Sequence, residues 1–128
     1  MGIRYEKDTI LNWINEMGKF LRLLVEKWEG LEEVSAPVDI AAGYEDFFNE
    51  KRDYFVRISD AELVAYSKSL EQEQIRPLAQ LLMYDGLMNK DNELLRKAKA
   101  LFEYHMQQTG SFSFEDYGFL HQIGKNIR

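Results

Sequence analysis

Cysteine is absent from the 128 residues. Disulfides, thiol nucleophiles and thiolate metal sites are therefore excluded. Proline is scarce, with two residues in the whole chain, and no tract is rich in Ser, Thr or Gly, so nothing reads as a linker or a disordered segment. No apolar run approaches the roughly 18 residues that a bilayer span requires. The opening MGIRYEKD has no apolar h-region, which argues against a signal peptide. Position 6 is Glu, not the Ser or Thr that accompanies myristoylation of Gly2. Positive charge is also lacking: the net charge is −6, and an acidic chain is repelled by phosphate backbones at long range. Glycine-rich phosphate loops and Gly-x-Ser-x-Gly elbows do not occur. These absences point to a cytoplasmic protein that engages neither membrane nor nucleic acid and carries no cofactor.

What is present is apolar material, 45% of the chain with 13% aromatic, and it is periodic. Ile10, Ile14, Met17, Leu21, Leu24, Trp28 and Leu31 recur at alternating spacings of 4 and 3, the seam of a long amphipathic helix. Asn12, Asn15, Glu16, Lys19, Arg22, Glu26 and Glu29 form its solvated face. Asp8 or Thr9 suits the N-cap and Gly30 the C-terminal stop. Leu11, Trp13, Phe20 and Val25 widen the apolar side, so two neighbouring helices are expected against it. Gly18 costs about 1 kcal/mol relative to Ala inside a helix, a cost that close approach of another backbone would offset. The alternative use of this stripe is an intermolecular coiled-coil seam, for which three heptads are few.

The remaining segments also read as helices. Pro37 breaks the chain between Glu32 and Val38. Asp39 then caps a second helix with Ile40, Tyr44, Phe47, Phe48, Phe55 and Ile58 inward. Ser59-Asp-Ala-Glu62 has the form of a capping box and opens a third helix carrying Leu63, Tyr66 and Leu70. Pro77 suits the first turn of a fourth. In that helix Leu78, Ala79, Leu81, Leu82, Met83, Tyr84, Leu87 and Met88 cover nearly the whole circumference, which predicts a central position. Asp91 caps a fifth helix, which ends before Gly110. Ser113 caps a sixth, with a Phe112–Tyr117 staple, Asp116 at N3, and Leu120 and Ile123 inward. Lys125 and Arg128 sit near its negative end. The expected fold is all-α: one domain over residues 1–128, with five or six antiparallel helices.

Few side chains suggest chemistry. Helical metal sites need ligands three or four apart. His105 has Leu101 and Phe102 at those offsets, and His121 has Tyr117 and Gly118, so both are expected as core or boundary residues and no metal site is assigned. Asp46, Asn49, Glu50 and Asp53 follow the i, i+3, i+4, i+7 pattern of one helical face, which suits a divalent cation or a carboxyl of raised pKa. Lys51, Arg52 and Arg57 lie close enough to neutralise it. Arg96, Lys97 and Lys99 are the one short basic cluster, interleaved with inward positions and thus unlike a recognition helix. No catalytic residue is assigned. The aromatic surplus is the remaining signal: Trp13, Phe20, Trp28, Tyr44, Phe47, Phe48 and Phe55 are candidates for a protein–protein surface. A non-enzymatic interaction module, binding a protein partner or forming a homodimer, is the leading expectation. The alternative is a small-ligand-binding or enzymatic bundle using His105, His121 or the Asp46/Glu50/Asp53 face.

Two resemblances accompany this. Pro77 to Met106 has the length of a tetratricopeptide (TPR) hairpin, and Ala98, Ala100, Leu101 and Phe102 look like part of its second helix. The Trp, Gly and Tyr of a TPR first helix are not in place, and no second copy occurs. The lead Tyr5-Glu-Lys-Asp-Thr-Ile-Leu-Asn-Trp-Ile with Phe20-Leu-Arg-Leu-Leu is similar to the start of an uncharacterised family of short all-helical bacterial proteins. Leu101-Phe-Glu-Tyr and Ser113-Phe-Glu-Asp are similar to the C-terminal part of those proteins. The resemblance implies a helical architecture and a bacterial cytoplasmic setting; it carries no activity.

Overall fold

A computed structural model describes residues 7–30, 39–111 and 113–127. Its element order is α1 (Lys7–Glu29), α2 (Ile40–Phe48), α3 (Arg52–Arg57), α4 (Asp60–Ser67), α5 (Gln72–Asn89), α6 (Asn92–Thr109) and α7 (Phe114–Asn126), with no strand among the described residues. The all-α expectation holds, in one compact body. Leu31, the Pro37 break and Phe112 of the proposed staple lie outside the described residues.

Helix α1 follows the periodic seam. Met17, Leu21 and Leu24 are buried, Ile10, Ile14 and Trp28 are half-buried against them, and the helix touches both α5 and α2. Gly30 stops it at a φ of 63°, its N–H donating to Glu26 O at 3.0 Å. Two details differ from expectation. The helix already runs at Lys7, so Asp8 and Thr9 lie in its first turn and do not cap it. Gly18 faces open space, with nothing within 4 Å of a built Cβ, and Leu11 is 50% exposed. The close approach occurs instead at Gly43 of α2, where a Cβ would meet the Phe20 ring well inside van der Waals contact.

The helix expected across Asp39 to Ile58 is two. Asn49 takes a left-handed φ of 57° and donates its N–H to Glu45 O, and Lys51 is extended. Asn tolerates that conformation better than most residues. The short α2 then needs partners for its last carbonyls. Trp13 Nε1 donates to Phe47 O, and the Tyr66 hydroxyl to Phe48 O, each at 3.0 Å. These two bonds draw the rings inward, where Trp13, Phe20, Tyr44, Phe47, Phe48, Tyr54, Phe55 and Tyr66 form one cluster with centroids 5.1 to 6.5 Å apart.

Helix α5 is the centre, as its all-round apolar composition requires; it contacts α1, α2, α6 and α7. It starts at Gln72, five residues before Pro77, which therefore sits inside the helix. Proline there removes one backbone bond. The start is held by Glu71 N–H donating to Gln74 Oε1 at 2.9 Å. A tight turn leads into α6, where Asp91 accepts from the N–H groups of Glu93 and Leu94. Ser59 and Glu62 make the capping box of α4, and Ser113 caps α7 through Asp116 N–H.

Candidate functional site

The two sides of α5 are chemically distinct. On one side Asp85 is fully buried. Its carboxylate accepts from the Tyr44 hydroxyl at 2.7 Å, from Arg52 Nε and Nη2 at 2.7 and 3.0 Å, and from Asn89 Nδ2 at 2.7 Å. A bidentate guanidinium with two further donors is what a buried carboxylate needs. Burial, reinforced by the Asp85 charge, pushes the Tyr44 phenol well above its ordinary value. The hydrogen bond to Asp85 raises the Arg52 guanidinium further. The network ties α2 and α3 to α5. Nearby, Lys97 is buried and donates to Val56 O at 2.7 Å, in the last turn of α3, where a cation is favoured. The Arg96/Lys97/Lys99 cluster is therefore not one surface: Lys97 is interior and Arg96 pairs with Glu93.

On the other side, Arg76 reaches from α5 to α7. Its Nε donates to Asp116 Oδ1 at 2.6 Å, its Nη2 to Glu115, and its guanidinium lies 5.4 Å from the Phe119 ring centre. Phe119 stacks on Phe102 of α6 at 5.3 Å. His105 of α6 borders this corner. Its Nδ1 is buried without a hydrogen-bond partner, and burial lowers its pKa, with Asp116 opposing and Arg76 adding to the effect.

Between the C-terminal end of α1 and α7, a cleft of about 280 Å³ opens onto α5. Met83, Leu87 and Phe119 supply apolar floor, Trp28 is one wall, and Glu29, Glu115, Gly118 and Gln122 form the rim. Positions 115, 118, 119 and 122 share one face of α7 by helical period. Tyr84 also lines the cleft, 7% exposed, and its hydroxyl has no hydrogen-bond partner among the described residues. Burial raises the Tyr84 phenol above its ordinary value, and the charges of Glu29 and Glu115 add to this, so both carboxylates bear on the hydroxyl. Behind Trp28 lies a second hollow of about 300 Å³ that reaches Lys90 and Asn126.

The residues singled out in the sequence fare differently. Trp13, Tyr44, Phe48 and Phe55 are core, and Phe20, Phe47 and Trp28 are half-buried against it. The candidate aromatic surface is thus largely the inside of the α1–α4 cluster, because α2's carbonyls and the Asp85 network draw those rings in. Trp28 alone among them lines the cleft. The Asp46/Glu50/Asp53 face does not form, since the helix breaks at Asn49; Asp46 and Asp53 are exposed, and Asp53 pairs with Arg57 at 2.8 Å. His121, expected at the core or its boundary, is exposed, whereas His105 is half-buried. No three of His, Asp and Glu gather as metal ligands among the described residues, and no described helix is long and apolar enough to cross a membrane. The sequence alone does not disclose the Arg52–Asp85 pair, Arg76 or the Tyr84 cleft; a lone Asp inside an apolar helix is the one visible signal. Comparison with protein-family models, with curated proteins and with solved structures gives no match.

Proposed function

We propose that the protein is a non-enzymatic protein-interaction module that docks a segment of a different protein in the cleft between α1 and α7. The observation that carries this is the contrast between an apolar floor of Met83, Leu87 and Phe119 and a Tyr84 hydroxyl that has no partner among the described residues. Binding sites combine apolar lining with a few oriented polar groups, and a hydroxyl that opens on the cleft with no partner among the described residues is available to an occupant's polar group. Of the residues weighed for the enzymatic alternative, Asp46, Asp53 and His121 are exposed, and no three His, Asp or Glu gather as metal ligands among the described residues. A cytoplasmic, bacterial setting and kinship with the short helical family belong to the same proposal.

The test is selection of displayed peptides on the immobilised protein, with the Gly118→Phe variant as counter-selection. Gly118 lines the cleft and has nothing within 4 Å of a built Cβ, so Phe there fills the cleft without entering the core. Recovered peptides are expected to share a motif and to lose the variant. No enrichment, or equal binding to the variant, rejects the docking role. Sedimentation equilibrium at tens of micromolar reads the other occupant: a dimer that Gly118→Phe dissolves would make a second copy the partner.

A further inference from the structure

We infer that the occupant places a lysine side chain in this cleft, its aliphatic stem along Trp28, Met83 and Leu87 and its ammonium among Glu29, Glu115 and the Tyr84 hydroxyl. The inference rests on the cleft's role as a docking site and adds the chemistry of what enters it. Charge complementarity selects a cation. Two carboxylates rim the opening, and Asp116 shares the Arg76 guanidinium with Glu115, so Arg76 offsets one of three negative groups in that corner. Glu115 keeps acceptor capacity beyond its bond to Arg76, since an ionised carboxylate offers about four lone-pair sites.

The arrangement of acceptors selects an ammonium over a guanidinium. Glu29 comes from α1, Glu115 from α7 and Tyr84 from α5, so three acceptors approach from three separate elements. An ammonium carries three donors that point in different directions, whereas arginine's donors are fixed in one plane. The half-buried indole of Trp28 adds a ring face for the cation. Phe119 is not available for this, being stacked on Phe102 with the Arg76 guanidinium near its ring. A neutral apolar chain would cut the Tyr84 hydroxyl off from water without giving it a partner, which costs free energy. An anionic one would meet both rim carboxylates.

The probes are n-hexylammonium, n-hexanol and hexanoate, titrated into the ¹⁵N-labelled full chain and followed by chemical shift. Hexylammonium is expected to move the Trp28 indole and the amides of Tyr84, Gly118 and Gln122. Hexanol should bind about tenfold more weakly, the equivalent of 1.4 kcal/mol, and hexanoate not at all. Glu29→Gln, at an exposed site, should cost the ammonium several-fold while leaving hexanol unchanged; Glu29→Asp should restore part of that loss. Two results overturn the lysine assignment while leaving docking intact: hexanol binding in the cleft as well as the amine, or Glu29→Gln binding the amine unchanged. Binding of none of the probes in the cleft overturns the assignment and counts against the docking role as well.

Discussion

Tyr84 and Asp85 are adjacent on α5, and both are buried, yet their polar atoms are treated oppositely. The Asp85 carboxylate takes four hydrogen bonds from three side chains. The Tyr84 hydroxyl takes none among the described residues. One helix thus separates a closed side, where the buried side-chain polar groups described are matched and rings interlock, from an open side with a cleft and a hydroxyl facing it. A fold of this size cannot leave many buried polar groups unmatched. Among the described residues the unmatched side-chain atom is His105 Nδ1, whereas the Tyr84 hydroxyl escapes that demand by opening on the cleft, and the cleft is the place to look for a ligand.

The largest expected effect lies on the closed side. Asp85→Ala strands the Arg52 guanidinium, the Tyr44 hydroxyl and the Asn89 amide together, and should lower stability by about 3–5 kcal/mol, the cost of breaking a buried ion pair from one end. Urea denaturation measures it. A loss below about 1 kcal/mol would mean the network is ornamental. The sharper version uses the same chemical change on each side. Tyr44→Phe removes a hydroxyl bonded to a carboxylate and should cost about 1.5–3 kcal/mol. Tyr84→Phe removes one that has no partner among the described residues and should stay within about 0.5 kcal/mol. Equal losses would abolish the distinction between the two sides.

A second pair tests packing in place of polarity. Gly43→Ala drives a methyl into Phe20, whose ring also rests on Phe47 at 5.5 Å. Overpacking of this kind costs about 1–3 kcal/mol, and Gly43→Ala with Phe20→Leu should recover much of it. Gly118→Ala on the open side meets nothing and should instead gain about 0.5–1 kcal/mol from helix propensity. Thermal midpoints of the two single variants, moving in opposite directions, are the readout.

This division was only half legible in the sequence. What depends on neighbours a few residues apart could be read: the α1 seam, the Ser59/Glu62 box, the Asp91 and Ser113 caps, the Gly110 stop. Local signals failed where two rules competed. Pro77 reads as a helix start, but Glu71 and Gln74 supply an earlier one. Gly18 reads as a contact point, but the contact is at Gly43, because only the tertiary path of α1 over α2 decides which glycine meets a ring. The helix through Asp39 to Ile58 hid its break at Asn49, a residue that terminates helices less often than glycine. The functional features are long-range throughout. Arg52 and Tyr44 meet Asp85 across 33 and 41 residues, and Arg76 meets Asp116 across 40. The cleft requires the end of α1 and the middle of α7 to flank the same stretch of α5, and no periodicity encodes that.

The smallest effect is a dependence on pH, and it comes from the open side. Burial depresses His105 below the ordinary imidazole value, and its Nδ1 has no partner to hold a proton for. The unfolded chain then binds that proton more readily than the folded one. Where the unfolded state holds more protons, stability rises with pH. The His105 contribution is complete above the unfolded value of about 6.5 and is lost as pH falls from there toward the lower folded value. His105→Gln should flatten the stability profile over that interval, measured by urea denaturation at a series of pH values. If the profile keeps its slope in His105→Gln, the corner formed by Arg76, Asp116 and His105 is more open to water than its burial indicates, and the boundary between the two sides of α5 must be drawn closer to the helix axis.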